Sequence, residues 1–271
     1  MHPILLTLGP VSIPSWHTMY VLGALVAYAL LLRWGRLNDP LIPRSELARL
    51  YIVCYVLGYF GARFLSILVE EPDVKGFWGT LGALGRLGPM TFYGGAIAAC
   101  VGGILYARLK RLPLGSLLDL TIPAGLVALA LGRVGCFLNG DDYGKAVLLR
   151  SGEAPPFWAV TFPNLGDGIA RYPVQLMEAF AVLAIAWIII RNLVKLRTAF
   201  RPGFGGFLGI VAYANLRFLL EFLRDDFRGF AFGTWLSTSQ FISIVVLALC
   251  GLSIPYWIRS ARALAAPEET P

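Results

Sequence analysis

Long apolar runs separated by short polar connections dominate this chain, in place of the two-residue alternation of strands or the one-sided stripe of surface helices. Seven runs approach or exceed the roughly 20 residues an apolar helix needs to cross a bilayer core of about 30 Å. They are Trp16 to Arg33, Leu47 to Val69, Met90 to Arg108, Leu117 to Leu138, Val174 to Ile190, Phe204 to Leu223 and Gln240 to Ile258. The pattern predicts an all-α polytopic membrane protein of about seven transmembrane helices, with residues 1–271 forming a single integral membrane domain. The third run contains AIAACVGG, whose small residues suit close helix contact. The seventh carries Pro255, where a helix is expected to stop or kink. Between the fourth and fifth runs, residues 139–173 open on the turn signal Asn139-Gly140 and carry Pro155, Pro156, Pro163 and Pro173 with the alternation Trp158, Val160, Phe162. That stretch predicts a small external loop subdomain with some β character.

Composition agrees: 57% hydrophobic, 14% charged and a mean hydropathy of +0.69 exclude an ordinary soluble domain. The first fifteen residues contain no Lys or Arg, and no small-residue cleavage pattern follows, so no cleaved signal peptide is expected. Cys54, Cys100, Cys136 and Cys250 lie in apolar runs without CxxC spacing, so neither a disulfide nor a zinc site is expected. Loop charges set the orientation. One side carries thirteen Lys and Arg against Asp39, Glu46, Glu268 and Glu269; the other carries seven bases, Arg228 among them, against nine acids. The amino terminus is expected outside and the carboxyl terminus inside. Arg108, Lys110 and Arg111 read as topology signals, not as a nucleic-acid patch.

Six charges fall within the runs: Arg63, Arg133, Arg217, Asp119, Glu178 and Glu221. Arg133 lies five residues, or about 7 to 8 Å, from the end of the fourth run. A charge inside a membrane is paired or lines a polar cavity. With Asp119 the exception, these charges share the outer half of the membrane with Gln175, Trp16, Tyr20 and Tyr93, which argues for a cavity there. Arg63, Arg133 and Arg217 face Glu178 and Glu221, and Arg224 adds positive charge at the rim. Such a pocket should hold an anion, and the planar guanidinium fork suits phosphate; an anionic phospholipid is the natural candidate. Blander readings stay open beside this one. Arg217, Glu221 and Arg224 are spaced to pair along one helix face. Tyr20 and Tyr93 sit where interfacial anchors occur, and Arg63 can snorkel or pair structurally.

The segment GRVGCFLNGDDYG, from Gly132 to Gly144, resembles the signature of the prolipoprotein diacylglyceryl transferase family. The resemblance extends along most of the chain: LGPVSIPSWHTMYVLG at Leu8 to Gly23, GARF at Gly61 to Phe64, MTFYGG at Met90 to Gly95, RYPVQLME at Arg171 to Glu178 and LRFLLEFLRDD at Leu216 to Asp226 match family motifs in order. It implies a seven-helix enzyme of the bacterial cytoplasmic (inner) membrane, without cofactor or metal. That enzyme moves the diacylglyceryl group of phosphatidylglycerol to the lipobox cysteine of a preprolipoprotein signal peptide, forming a thioether and releasing glycerol 1-phosphate. Carried over by motif, Arg133 and Arg217 match the arginines that hold the headgroup phosphate, with Glu221 and Arg224 their helix partners. Asn139, Asp141 and Gly144 match the signature loop, and Gln175 and Glu178 the fifth-helix pair.

The sequence departs from the family pattern at four places. Tyr93 stands where a histidine, proposed as base, precedes GG; Cys136 replaces the first signature asparagine; Trp16 replaces a common tyrosine; Asp141 replaces a glutamate. Tyrosine titrates near pH 10, far from an ideal base. A paralogue with another acceptor and a non-catalytic anionic-lipid-binding protein therefore stand beside the active transferase. An organic-anion transporter fits less well, since no pair of broken helices occupies matching halves and the polar residues gather on one side.

Overall fold

The computed structural model describes residues 1–8, 11–86, 88, 90–150, 153–225 and 235–265. Gly9 and Pro10 of the opening motif, Asp226 of the late helix motif, and Arg228, Glu268 and Glu269 of the loop charges lie outside the described residues. In chain order the elements are β1 (Ile4–Leu8), β2 (Val11–Pro14), α1 (Ser15–Asn38), α2 (Arg44–Glu70), α3 (Gly76–Leu84), α4 (Phe92–Leu109), α5 (Leu114–Asn139), β3 (Val160–Thr161), β4 (Ala170–Arg171), α6 (Val174–Ala199), α7 (Phe204–Leu220) and α8 (Thr238–Ala265). Seven of the helices, all but α3, are long and apolar enough to cross a membrane. The protein is thus an all-α polytopic membrane protein.

Several boundaries depart from the hydropathy pattern for identifiable reasons. Helix α6 runs past Ile190 to Ala199, because the helix continues through Arg191, Asn192 and Lys195 after its apolar stretch has ended. Helix α8 does not stop at Pro255 but continues to Ala265; a membrane helix has few alternative partners for its backbone, so it tolerates the missing amide. The β1–β2 hairpin and the nine-residue α3 were not legible, being too short to register as spans. In the loop after α5, the expected β character is limited to the antiparallel pair β3–β4 and two isolated bridges, Ala146 with Arg171 and Gly144 with Arg224.

The chain forms two compact units, one of Met1–Leu30 with Leu118–Pro271, the other of Leu31–Leu117. In the second, α2 and α4 pack through small residues, as AIAACVGG suggested: a Cβ on Gly103 would lie 2.8 Å from the Cys54 sulfur, and one on Gly95 2.9 Å from the Gly58 carbonyl. In the first unit, Leu126 and Ala130 of α5 meet Ala179, Val182 and Ala186 of α6, flanked by Tyr213 and Leu216 of α7. Their small side chains bring three helices close.

Asp119, fully buried on α5, ties those helices together at one end. Its Oδ2 accepts a hydrogen bond from Arg197 Nε of α6 at 2.8 Å and from the Gly203 amide at 2.9 Å; its Oδ1 accepts from the Gly206 amide at 3.0 Å. The first amides of a helix have no partner within it and carry partial positive charge. A carboxylate from α5 therefore caps α7 while neutralising a cation of α6. Removing one partner of such a buried pair typically costs about 3 to 5 kcal/mol. Asp119→Ala is accordingly expected to lower the thermal unfolding midpoint of the detergent-solubilised protein markedly; an unchanged midpoint would show that the tie is dispensable.

Candidate functional site

Helices α5 and α7 run in the same direction from the Asp119 tie. Contacts of Gly206 with Leu118 and of Gly209 with Ile122 keep them in step. Arg133 lies fourteen residues beyond Asp119, and Arg217 fourteen beyond Gly203. At 1.5 Å per residue both arginines stand about 21 Å along their helices from the tie, and so at one level. Helix α6 runs back between the two ends and brings Glu178 to the same place.

There the charges form two largely buried ion-paired groups, one of Arg133 and Arg224 with Asp142 and Glu178, the other of Arg217 with Glu221. Arg133 Nη1 donates to Asp142 Oδ2 at 2.6 Å, and its Nε lies 2.9 Å from Glu178 Oε2, near enough for charge attraction but misaligned for a hydrogen bond. The Tyr213 hydroxyl donates to the other Glu178 oxygen at 3.3 Å. Arg217 Nη2 is 2.9 Å from Glu221 and donates to Ser239 Oγ of α8 at 2.9 Å, while its buried Nη1 has no hydrogen-bond partner. Arg224 Nη2 is 2.9 Å from Asp142 Oδ1. Arg224 is therefore buried, not at the rim. After α7 the chain tightens into a 3-10 turn at Glu221–Leu223 and pairs in extended form with Gly144, which turns the side chain inward. Helix-face pairing holds for Arg217 with Glu221, whereas Arg224 forms an ion pair with the loop acid Asp142.

The loop leaving α5 sets Asp142. Gly140, at φ 86°, turns the chain as Cys136 O accepts from the amides of Gly140 and Asp141; glycine adopts this left-handed conformation without strain. Gln175 Nε2 donates to the Asp141 carbonyl at 2.6 Å, and Asn139 to its carboxylate at 2.8 Å. Loss of hydration raises the Asp141 carboxyl above the ordinary aspartate range; the Asn139 hydrogen bond opposes this and the Asp142 charge adds to it. Residues 143–147 then run between residues 170–172 and residues 223–225. The amides of Gly144 and Val147 donate to the carbonyls of Tyr172 and Ala170, while the Lys145 amide donates to the Leu223 carbonyl at 2.7 Å on the other side.

Of the residues singled out from sequence, Arg133, Arg217, Glu221, Arg224, Asn139, Asp141, Gly144, Gln175 and Glu178 belong to this one unit. Tyr20 shares the unit, stacked on Trp16 with ring centroids 5.7 Å apart. Arg63 and Tyr93 lie in the second unit. There Arg63 is buried, ion-paired with Glu71 and donating from Nε to the Ala83 carbonyl at 3.3 Å, so its structural pairing is realised. Tyr93 sits at the start of α4, edge-on to Phe92. The predicted positive excess is offset, because Arg133, Arg217 and Arg224 meet three acids, Glu178, Glu221 and Asp142. Sequence reading missed Asp142, Tyr213 and Ser239; only the paired acids of NGDDYG hinted at the first. Among the described residues, no three His, Cys, Asp or Glu side chains group as a metal site would require.

The fold and this network define a polytopic membrane protein with a buried guanidinium–carboxylate cluster at one end of its helices. Residues 3–257 match the family model described as prolipoprotein diacylglyceryl transferase, and the chain belongs to that family. Proteins named phosphatidylglycerol–prolipoprotein diacylglyceryl transferase are similar to it along most of their length. That of Bordetella bronchiseptica is 32% identical over 92% of this chain and 93% of its own. The Nitrobacter winogradskyi protein is 31% identical over 96% and 90%, and that of Wolbachia pipientis from Culex pipiens 28% identical over 92% of each.

Gly144 makes the loop's geometry testable. A Cβ there would come within 2.5 Å of the Tyr172 carbonyl and 2.6 Å of Val174 Cγ2. Gly144→Ala is expected to cost about 1 to 3 kcal/mol, as overpacking does, and to open residues 145–173 to protease; wild-type protection would show that the strands yield without loss.

Proposed function

We propose that this chain transfers the diacylglyceryl group of phosphatidylglycerol to the lipobox cysteine of a prolipoprotein. The substrate thiol loses its proton and its sulfur attacks the glycerol carbon bearing the phosphate. A carbon–sulfur bond forms, the carbon–oxygen bond to phosphate breaks, and glycerol 1-phosphate departs with the electron pair. The thiol's proton ends on the departing phosphate monoester, so the two substrates together balance the reaction. Family membership supports the chemistry, and one observation supports the place: a buried Arg217 with an unpartnered Nη1, at the level of the half-buried Arg133.

Arg133 and Arg217 hold the headgroup phosphate and stabilise the charge that grows on it as it leaves, an effect strongest away from water. Positive charge nearby also favours the thiolate over the thiol. Glu221 orients Arg217; Glu178, Gln175, Asn139, Asp141 and Gly144 hold the loop and the helix ends around Arg133 and Arg224. Tyr20 belongs to the lipid site of the first unit; in the second unit, Tyr93 stands at the motif position of the family's base and Arg63 at its second-helix motif. The protein sits in the bacterial cytoplasmic membrane with its amino terminus outside and carboxyl terminus inside. Residues 139–173 form an external subdomain over the site on a single integral membrane domain, and lipid enters between helices.

Purified protein given phosphatidylglycerol and a lipobox peptide is expected to add one diacylglyceryl group to the peptide mass. No product despite intact lipid binding would sink the transferase reading. Arg133→Ala and Arg217→Ala should each reduce turnover at least about 100-fold, the scale of losing one transition-state donor; near-normal rates would remove them from the site. Tyr93→Phe should slow transfer if its hydroxyl takes part, and a wild-type rate would reduce Tyr93 to packing.

A further inference from the structure

Arg133 and Arg224 are balanced by Asp142 and Glu178, and Arg217 by Glu221, which leaves no net charge to spare for an incoming phosphate. A phosphodiester brings one negative charge, and adding it to balanced, largely buried ion pairs leaves an anion without a countercharge, which is costly. One resident acid has to yield its place.

Glu178 cannot do so cheaply. Its side chain is 0% exposed on α6, and Glu221 continues α7 with Arg217 at 2.9 Å. Asp142 differs in its place on the chain and in its exposure. It lies on the loop beyond α5, its side chain is 16% exposed, and its backbone is left-handed at φ 60°, a conformation aspartate tolerates better than most residues. Its two oxygens reach different arginines, Oδ2 to Arg133 and Oδ1 to Arg224. One carboxylate bridging two guanidiniums reproduces what the two free oxygens of a phosphodiester would do.

We propose that Asp142 is the resident anion of this site and that the lipid phosphate binds by displacing it. The inference rests on the headgroup reading given above. Exchange of carboxylate for phosphodiester keeps the charge balanced throughout. It requires one loop side chain to turn outward while the helices stay fixed by the Asp119 tie. Asp142 thereby holds Arg133 and Arg224 paired in the lipid-free protein and sets how tightly the headgroup is held.

The test is phosphatidylglycerol binding by the full-length protein in nanodiscs of phosphatidylcholine. Asp142→Asn removes the competing charge and is expected to tighten binding about 10-fold, because the arginines no longer have to be released first. Asp142→Glu keeps a competing carboxylate and should bind no tighter than wild type. Unchanged or weaker binding by folded Asp142→Asn would overturn the exchange. Should Asp142→Asn fail to fold, Asp142→Ser carries the same expectation, and failure of both to fold would make the carboxylate a structural prop. Arg217→Ala separates the two readings. If it binds as tightly as wild type, the headgroup site itself is wrong; if it loses binding while Asp142→Asn gains nothing, only the exchange is.

Discussion

A single carboxylate, Asp119, sets the geometry on which the candidate site depends. Between membrane helices there is little hydrophobic driving force, since lipid is as apolar as the helix surface, so polar ties and small residues decide how helices meet. Asp119 ties α5 to the first amides of α7 and to Arg197 of α6. With α5 and α7 pinned at one end and packed in step past Gly206 and Gly209, the equal spacing to Arg133 and Arg217 becomes an equal depth. Two arginines far apart in sequence thereby stand at one level, Arg133 paired with Asp142 and Glu178, Arg217 with Glu221.

Enclosing Arg133, Arg217 and Arg224 at one end of the helices is tolerable only because three acids accompany them. The cluster draws Glu178 from α6, Glu221 from the end of α7 and Asp142 from the loop after α5, so each arginine has an ion-pair partner. The pairing is imperfect where an anion would be held: the Arg217 Nη1 and Arg133 Nε lack hydrogen-bonding partners. Donors left over in a low-dielectric setting are strong ligands for a phosphate, and the same setting magnifies their effect on a leaving group.

Much of this was legible from residue type and position along each run. Arg133, Arg217, Glu178 and Glu221 drew attention because charge inside an apolar run is costly, whatever the fold. Asp142 did not, because an acid in a polar loop costs nothing until the loop folds back over the helix end. Arg224 looked like a rim residue by its distance from the helix, and only the bridge to Gly144 showed it turned inward. Arg63 shows the opposite case: its charge was as conspicuous as that of Arg133, yet Glu71, outside any run, satisfies it within the second unit.

Sequence by itself determined the solvent, the number of long apolar helices and the family, because apolar length and the motifs from Leu8 to Asp226 are local properties that need no folding to be read. It also marked the charged residues that require partners. Which partner each one has was decided only by the tertiary structure, since an ion pair depends on distances between side chains that sequence separation does not encode. Asp119 could have been a misplaced charge and is the tie that sets the register; Asp142 could have been a solvated loop acid and closes the arginine cluster.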